Sequence, residues 1–185
     1  MMHAVLPSPL GELLLRFDDD ALAGLWFADE RNRPATAESG PRDDSHPIAR
    51  RVAAACARYF AGEPAGLDVP LAMAGTPFQR AVWDALTRVG RGTTVSYGEI
   101  ARRIGAPAAV RAVGAAVGRN PIAIFVPCHR VVGSDGSLTG YAGGLSRKVH
   151  LLRLERVLGE DGRVRAAGRA AQAALPLGAG AAAAP

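Results

Sequence analysis

Residues 124–132, IFVPCHRVV, set a cysteine, a histidine and an arginine in succession inside an otherwise apolar run. A thiol is a nucleophile only as the thiolate, so it needs a nearby cation or base and some access for a substrate. Cys128, with His129 and Arg130 beside it, has those residue types, and Glu155 is a carboxylate available to orient the imidazole. Adjacency does not give contact, because consecutive residues of an extended strand point to opposite faces. If His129 activates Cys128, the chain must bend there or a water must bridge. On spacing alone the bland reading also stands: a free cysteine in apolar surroundings packs as a small hydrophobe.

Other chemistries find less support. Cys56, Cys128 and four scattered histidines make no ligand pair of the close spacing zinc sites use. There is no G-x-S-x-G nucleophile elbow and no phosphate-binding glycine motif, so a serine hydrolase and a nucleotide cofactor are not indicated. Cys56 falls on the apolar stripe of a helical segment and reads as packing.

The elements that must position these residues follow from local signals. HAVLPSPLG, ELLLRFDDD and ALAGLWFAD read as strands separated by turns, and residues 31–46 as a polar, mobile loop. Residues 46–60 carry Ile48, Val52, Ala55, Cys56 and Tyr59 at helical spacing, with Gly62 as a stop. Thr76-Pro77-Phe78-Gln79 and Ser96-Tyr97-Gly98-Glu99 have the form of capping boxes. The second opens a short helix to about Ile104, Gly105 supplies a turn, and Pro107 starts another helix to about Gly118, which is the sequence form of a helix-turn-helix. Residues 107–118, PAAVRAVGAAVG, carry a single charge, Arg111. Major-groove reading needs several long polar side chains. Small residues instead permit close backbone approach, either to a narrow groove or to a packed neighbouring helix. Residues 122–132 read as a buried strand and Ser146 to Leu158 as a last helix; beyond Gly159 the chain is Ala-rich, low in complexity and expected to be disordered.

Charge divides the chain. Residues 1–70 hold seven arginines against eleven acidic residues, a net of −4, whereas residues 71–185 hold fifteen cations against six acids, a net of +9. The basic half suits a polyanion such as nucleic acid, or a solvated arginine-rich surface. Lys148 is the one lysine among the 22 cations. The N-terminal residues lack the pattern of a secretory leader, no apolar run of ~18 residues suggests a membrane span, and two cysteines far apart suit a reducing, cytoplasmic setting.

Taken together, GTPFQRAVW (75–83), TVSYGEIARRIGAP (94–107), VRAVGAAVGRNP (110–121), IFVPCHRVVGSDGSLTGYAGG (124–144) and KVHLLRLE (148–155) resemble the O6-alkylguanine-DNA alkyltransferases, also called methylated-DNA–protein-cysteine methyltransferases. SPLGELLLRF and LAGLWFADE resemble that family's first domain, so the likeness covers nearly all of the chain apart from residues 31–46 and the tail. The resemblance implies an α+β fold. A small antiparallel-sheet and helix domain (1–70) packs on a mainly helical domain with the helix-turn-helix (71–160), followed by an Ala-rich tail (161–185).

The implied activity is irreversible, one-shot transfer of an alkyl group from O6-alkylguanine, and from O4-alkylthymine, in flipped-out duplex DNA. Cys128 is the implied acceptor, with His129, acting through a water, and Glu155 as its relay. Asn120 is the implied hinge, and Tyr97 crowds the 3′ phosphate and donates to the guanine. Arg111 fills the vacated stack from a minor-groove helix whose Ala109, Val110, Ala112 and Gly114 approach the sugars. Ser96 and Ser134 lie near phosphates. Val131, Tyr141, Ala142 and Gly143 line the base pocket. Ala142 stands where some relatives have serine, a change the site tolerates if the donor there is a backbone N–H. No Cys precedes position 56, so the zinc of some members is not expected, nor is any other metal or cofactor, and the protein is expected to act as a monomer. Two other classes remain to weigh: a non-catalytic damage-binding module, whose members lack the thiol, and a helix-turn-helix regulator.

Overall fold

Three short strands, β1 (Met2–Leu6), β2 (Leu13–Phe17) and β3 (Leu22–Phe27), form an antiparallel sheet in the order β1-β2-β3. The computed structural model describes residues 1–30, 32–63, 69–159 and 161–165 of the 185. Register sets Ala4, Leu15 and Leu25 side by side, all fully buried, so one face of the sheet is core. The opposite face carries Leu14 and Trp26, which pack with Ala37. That cover comes from a 3-10 turn, Ala35–Glu38, inside the segment expected to be a mobile loop. The difference has a cause: two large apolar side chains on the outer face need a lid. The segment is also tied down by Arg16 to the Thr36 carbonyl (2.8 Å) and by His3 N–H to the Pro41 carbonyl (3.0 Å).

Helix α1 (Pro47–Phe60) is capped by the His46 side chain, which accepts from Ile48 N–H, and it buries Val52, Cys56 and Tyr59. Helix α2 (Pro77–Thr87) opens with both bonds of the expected capping box, Gln79 N–H to Thr76 Oγ1 at 3.2 Å and Thr76 N–H to Gln79 Oε1 at 2.9 Å. Strand β4 (Val95–Ser96) leads into α3 (Tyr97–Arg103) and, past Gly105 at φ +72°, into α4 (Val110–Val117). Ser96 caps α3 by accepting from Glu99 N–H, and the Glu99 carboxylate pairs with Arg102 and Arg103. Helix α4 starts three residues later than its sequence suggests, because Ala106 to Ala109 closes a separate turn. The Trp83 indole donates to the Ala116 carbonyl at 2.9 Å and locks α2 to α4.

Residues 122–132 are not the strand their β-branched content suggests. Ile122 makes a single bridge to Leu25, Ile124 sits at φ +69°, Cys128–Arg130 is a 3-10 turn, and only Val131–Val132 (β5) is strand, parallel to β4. The free edge of β3 carries this turn: Leu25 N–H donates to the Pro121 carbonyl (2.9 Å) and Ala123 N–H to the Leu25 carbonyl (2.8 Å). Helix α5 (Leu145–Leu154) ends before Glu155, with Arg156 at φ +61°. Residues 161–165 still belong to the packed structure, since Val164 bridges to Leu158; the rest of the tail lies outside the described residues. One continuous core joins the sheet and α1 to the helices.

Candidate active site

Asn120 organises the site. Its carboxamide nitrogen donates to the Val126 carbonyl (2.7 Å), the Ile122 carbonyl (3.3 Å) and Cys128 Sγ (3.0 Å), while its oxygen accepts from Ile122 N–H (3.1 Å). One buried side chain thus closes the turn after α4 and points a donor at the sulfur. A strand would have carried Cys128 and His129 to opposite faces; Cys128–Arg130 is instead a 3-10 turn, so the chain bends at these residues.

Burial pushes the Cys128 thiol up to about 11, opposed by the Asn120 hydrogen bond and the Lys148 cation. At rest Cys128 is therefore a neutral thiol, and acting as a nucleophile would require a group to take its proton. His129 is fully buried and its Nε2 lies 3.0 Å from Glu155 Oε1. Burial lowers the His129 pKa, and Glu155 only partly offsets this, so the ring is neutral. For Glu155, burial is outweighed by the hydrogen bonds and charges of His129 and Arg130, which hold the carboxyl well below the usual carboxylate range. An ionised Glu155 requires the proton on Nε2, which leaves Nδ1 as the basic nitrogen. Nδ1 is buried and without a hydrogen-bond partner among the described residues.

The thiol opens onto a cavity of about 310 Å³ lined by Asn32, Tyr97, Gly114, Val117, Gly118, Cys128, Gly140, Tyr141 and Ala142. That volume lies within the range of small-molecule pockets, about 300–1,000 Å³. The Tyr141 hydroxyl is buried with no partner among the described residues, and Tyr97 Oη accepts from Thr139 Oγ1 at 3.3 Å. Val131 and Gly143, expected on the wall, lie behind it. Val131 is fully buried in the β4–β5 pair. At Gly143 a Cβ would meet the Phe27 and Tyr141 rings at 2.7 and 2.8 Å, so the close packing of these rings there requires glycine. Arg111, Ala112 and Val110 are exposed on α4, Ala109 precedes it half-buried, and Ser134 is exposed in the turn after β5. Ser96 is half-buried at the start of α3.

Lys148, Tyr59 and Asn32 were not assigned to the site from sequence, and Arg130, considered there as a cation beside Cys128, pairs instead with Glu155. Lys148 is fully buried and its ammonium donates to the Val131 and Thr139 carbonyls, at 2.6 Å each, tying β5 to the glycine-rich loop. Its being the one lysine among arginines was the available signal: a compact ammonium fits between two carbonyls where a planar guanidinium does not. Arg130 donates to both Glu155 oxygens (2.8 and 2.7 Å) and to the Val89 carbonyl. Among the described residues no group of three or more His, Cys, Asp or Glu is placed to hold a metal ion.

A buried thiol at a cavity wall, a histidine–carboxylate pair beginning at the next residue and a helix-turn-helix lining the same cavity are the features of a DNA-associated protein with a reactive cysteine. The family model described as "6-O-methylguanine DNA methyltransferase, DNA binding domain" matches residues 77–157. The methylated-DNA–protein-cysteine methyltransferase of Methanosarcina acetivorans is 46% identical over 155 residues, 84% of this chain and 98% of the relative. That of Mycobacterium tuberculosis is 47% identical over 157 residues, 84% and 93% of the two chains. The crystal structure of Mycobacterium tuberculosis OGT in complex with DNA superposes with a TM-score of 0.77 at 44% identity, covering 84% of this chain and 93% of that one. The chain belongs to the methylated-DNA–protein-cysteine methyltransferase family.

Proposed function

We propose that the protein repairs DNA by moving the alkyl group of O6-alkylguanine onto Cys128 in a single, irreversible event. The observation that carries this reading is the placement of Cys128 Sγ, 3.0 Å from the Asn120 amide, on the wall of the 310 Å³ cavity. The sulfur attacks the alkyl carbon; the S–C bond forms as the carbon–O6 bond breaks, and the electron pair goes to the guanine. The thiol proton passes to His129 Nδ1, directly or through a water, and Glu155 stabilises the imidazolium that forms. Tyr97 donates a hydrogen bond to the guanine and stabilises its developing negative charge, and the leaving guanine takes its proton from solvent as the His129 imidazolium later releases its own. The product is a thioether, which water does not readily hydrolyse, so the protein is consumed.

DNA binds along α4, whose outer face of small residues enters the minor groove, with Arg111 filling the gap left by the extruded nucleotide. Ser96, Tyr97 and Ser134 meet the backbone. The cations of residues 71–185 supply sequence-independent phosphate attraction, so binding weakens with salt. The protein acts as a monomer in a reducing, cytoplasmic setting, with O4-alkylthymine as a second substrate. A damage-binding module without chemistry would not need the thiol and its relay, both of which are intact. With duplex bearing O6-methylguanine in excess, repaired lesions should plateau at one per chain; continued turnover would contradict the reading.

A further inference from the structure

Glu155 is held from both halves of the molecule. Its Oε1 takes three donors: His129 Nε2 at 3.0 Å, Arg130 Nη2 at 2.7 Å and the Tyr59 hydroxyl at 2.8 Å. Its Oε2 takes Arg130 Nε at 2.8 Å. Tyr59 belongs to α1, ninety-six residues earlier in the chain and outside the segment matched by the DNA-binding-domain model. The ring is buried, at 5% exposure. It is itself held in place: Phe60 meets it edge-on at 5.4 Å, and the Arg91 guanidinium stands 5.3 Å from its centroid while donating to the carbonyls of Leu154 (3.3 Å) and Glu63.

We propose that Tyr59 is a positioning residue for alkyl transfer, fixing Glu155 Oε1 against His129 so that the N-terminal half completes the proton relay. This rests on Cys128 being the acceptor. Arg130 forks onto both carboxylate oxygens and sets the plane of the group, but it shares Oε1 with His129 and so competes with the imidazole for that oxygen. A third donor on Oε1, from a buried ring on another element, holds that oxygen against the pull of the guanidinium and keeps it where it serves the imidazole. The imidazole is neutral at rest and becomes cationic only as it accepts the thiol proton, so a carboxylate free to turn toward Arg130 would stabilise that cation less. The titratable and charged groups around this centre are His129, neutral at rest, Arg130, Arg91 above the Tyr59 ring, and Lys148, whose charge bears on His129.

Tyr59→Phe keeps the ring and its contacts and removes only the hydroxyl. The rate of alkyl transfer from free O6-benzylguanine, followed against pH, reads the relay without DNA. The variant should react about tenfold more slowly at neutral pH, the loss of one hydrogen bond to a charged group, with its rate profile moved to higher pH. In a Glu155→Gln background the same change should cost less than about threefold, because the residue through which Tyr59 acts is gone. A wild-type rate and profile accompanied only by a lower melting temperature would overturn the proposal and leave Tyr59 as a packing tie. A full tenfold loss on top of Glu155→Gln would also overturn it, since Tyr59 would then act elsewhere. Wild-type protein that takes up no benzyl group would overturn the acceptor reading itself, an outcome distinct from either.

Discussion

Cys56 and Cys128 are equally hidden, at 5% and 7% exposure, and burial drives both thiols upward, to about 12 and about 11. What separates them is their neighbours. Cys56 lies on the buried stripe of α1, and burial is the one influence on its thiol. Cys128 accepts a hydrogen bond from Asn120, feels the Lys148 cation, borders a cavity, and sits one residue from a histidine that is itself bonded to a carboxylate. Burial alone therefore does not mark a structural cysteine. A resting thiol of high pKa is compatible with function when a base stands ready for its proton.

Breaking this contrast should produce a graded series. Cys128→Ala should abolish alkyl transfer, whereas Cys56→Ala should leave it intact and cost about 1 kcal/mol of stability for the small cavity created; transfer assays and thermal melts on both variants test this. Glu155→Gln should slow transfer by about a hundredfold or more, the scale of lost general acid–base assistance, while Cys128 remains present and correctly folded by circular dichroism. Asn120→Ala should make Cys128 resemble Cys56. It removes the donor to sulfur and the bonds that close the turn, so the thiol should titrate above its value of about 11, and stability should fall by about 2 kcal/mol. Titration by thiolate absorbance and chemical denaturation check the two effects.

A different kind of effect, on stability and not on transfer, concerns Lys148, lowered by burial from 10.5 to about 8. Between those values the unfolded chain binds more protons at this group than the folded one, so its contribution to stability rises with pH across that window. Lys148→Met should lose that rise, which denaturation curves taken at intervals from neutral pH upward would reveal.

Much of the frame was legible from local signals. The three strands, the Thr76 cap, the Gly105 turn and the apolar stripe of α1 depend on residues close in sequence, and they stand where that logic puts them. The likeness to a known family brought Cys128, His129, Glu155 and Asn120 together on paper, and the structure brings them together in space. The turn that does so was not legible. Its β-branched residues argue for a strand, and it is Asn120 bonding three groups and the β3 edge receiving Pro121 and Ala123 that bend it. Tyr59 read as core because its ring is core; its hydroxyl meets its partner, the Glu155 carboxylate ninety-six residues away in sequence, only in the fold. Lys148 drew notice by its rarity, but its task depends on two carbonyls that meet only in the fold.

The central claim is that the two buried cysteines differ in kind, and site-resolved mass analysis after reaction with a duplex containing O6-methylguanine tests it most directly. The account predicts one methyl group per chain, found on the peptide bearing Cys128 and absent from that bearing Cys56. Methyl on Cys56, on both cysteines, or on neither would contradict it.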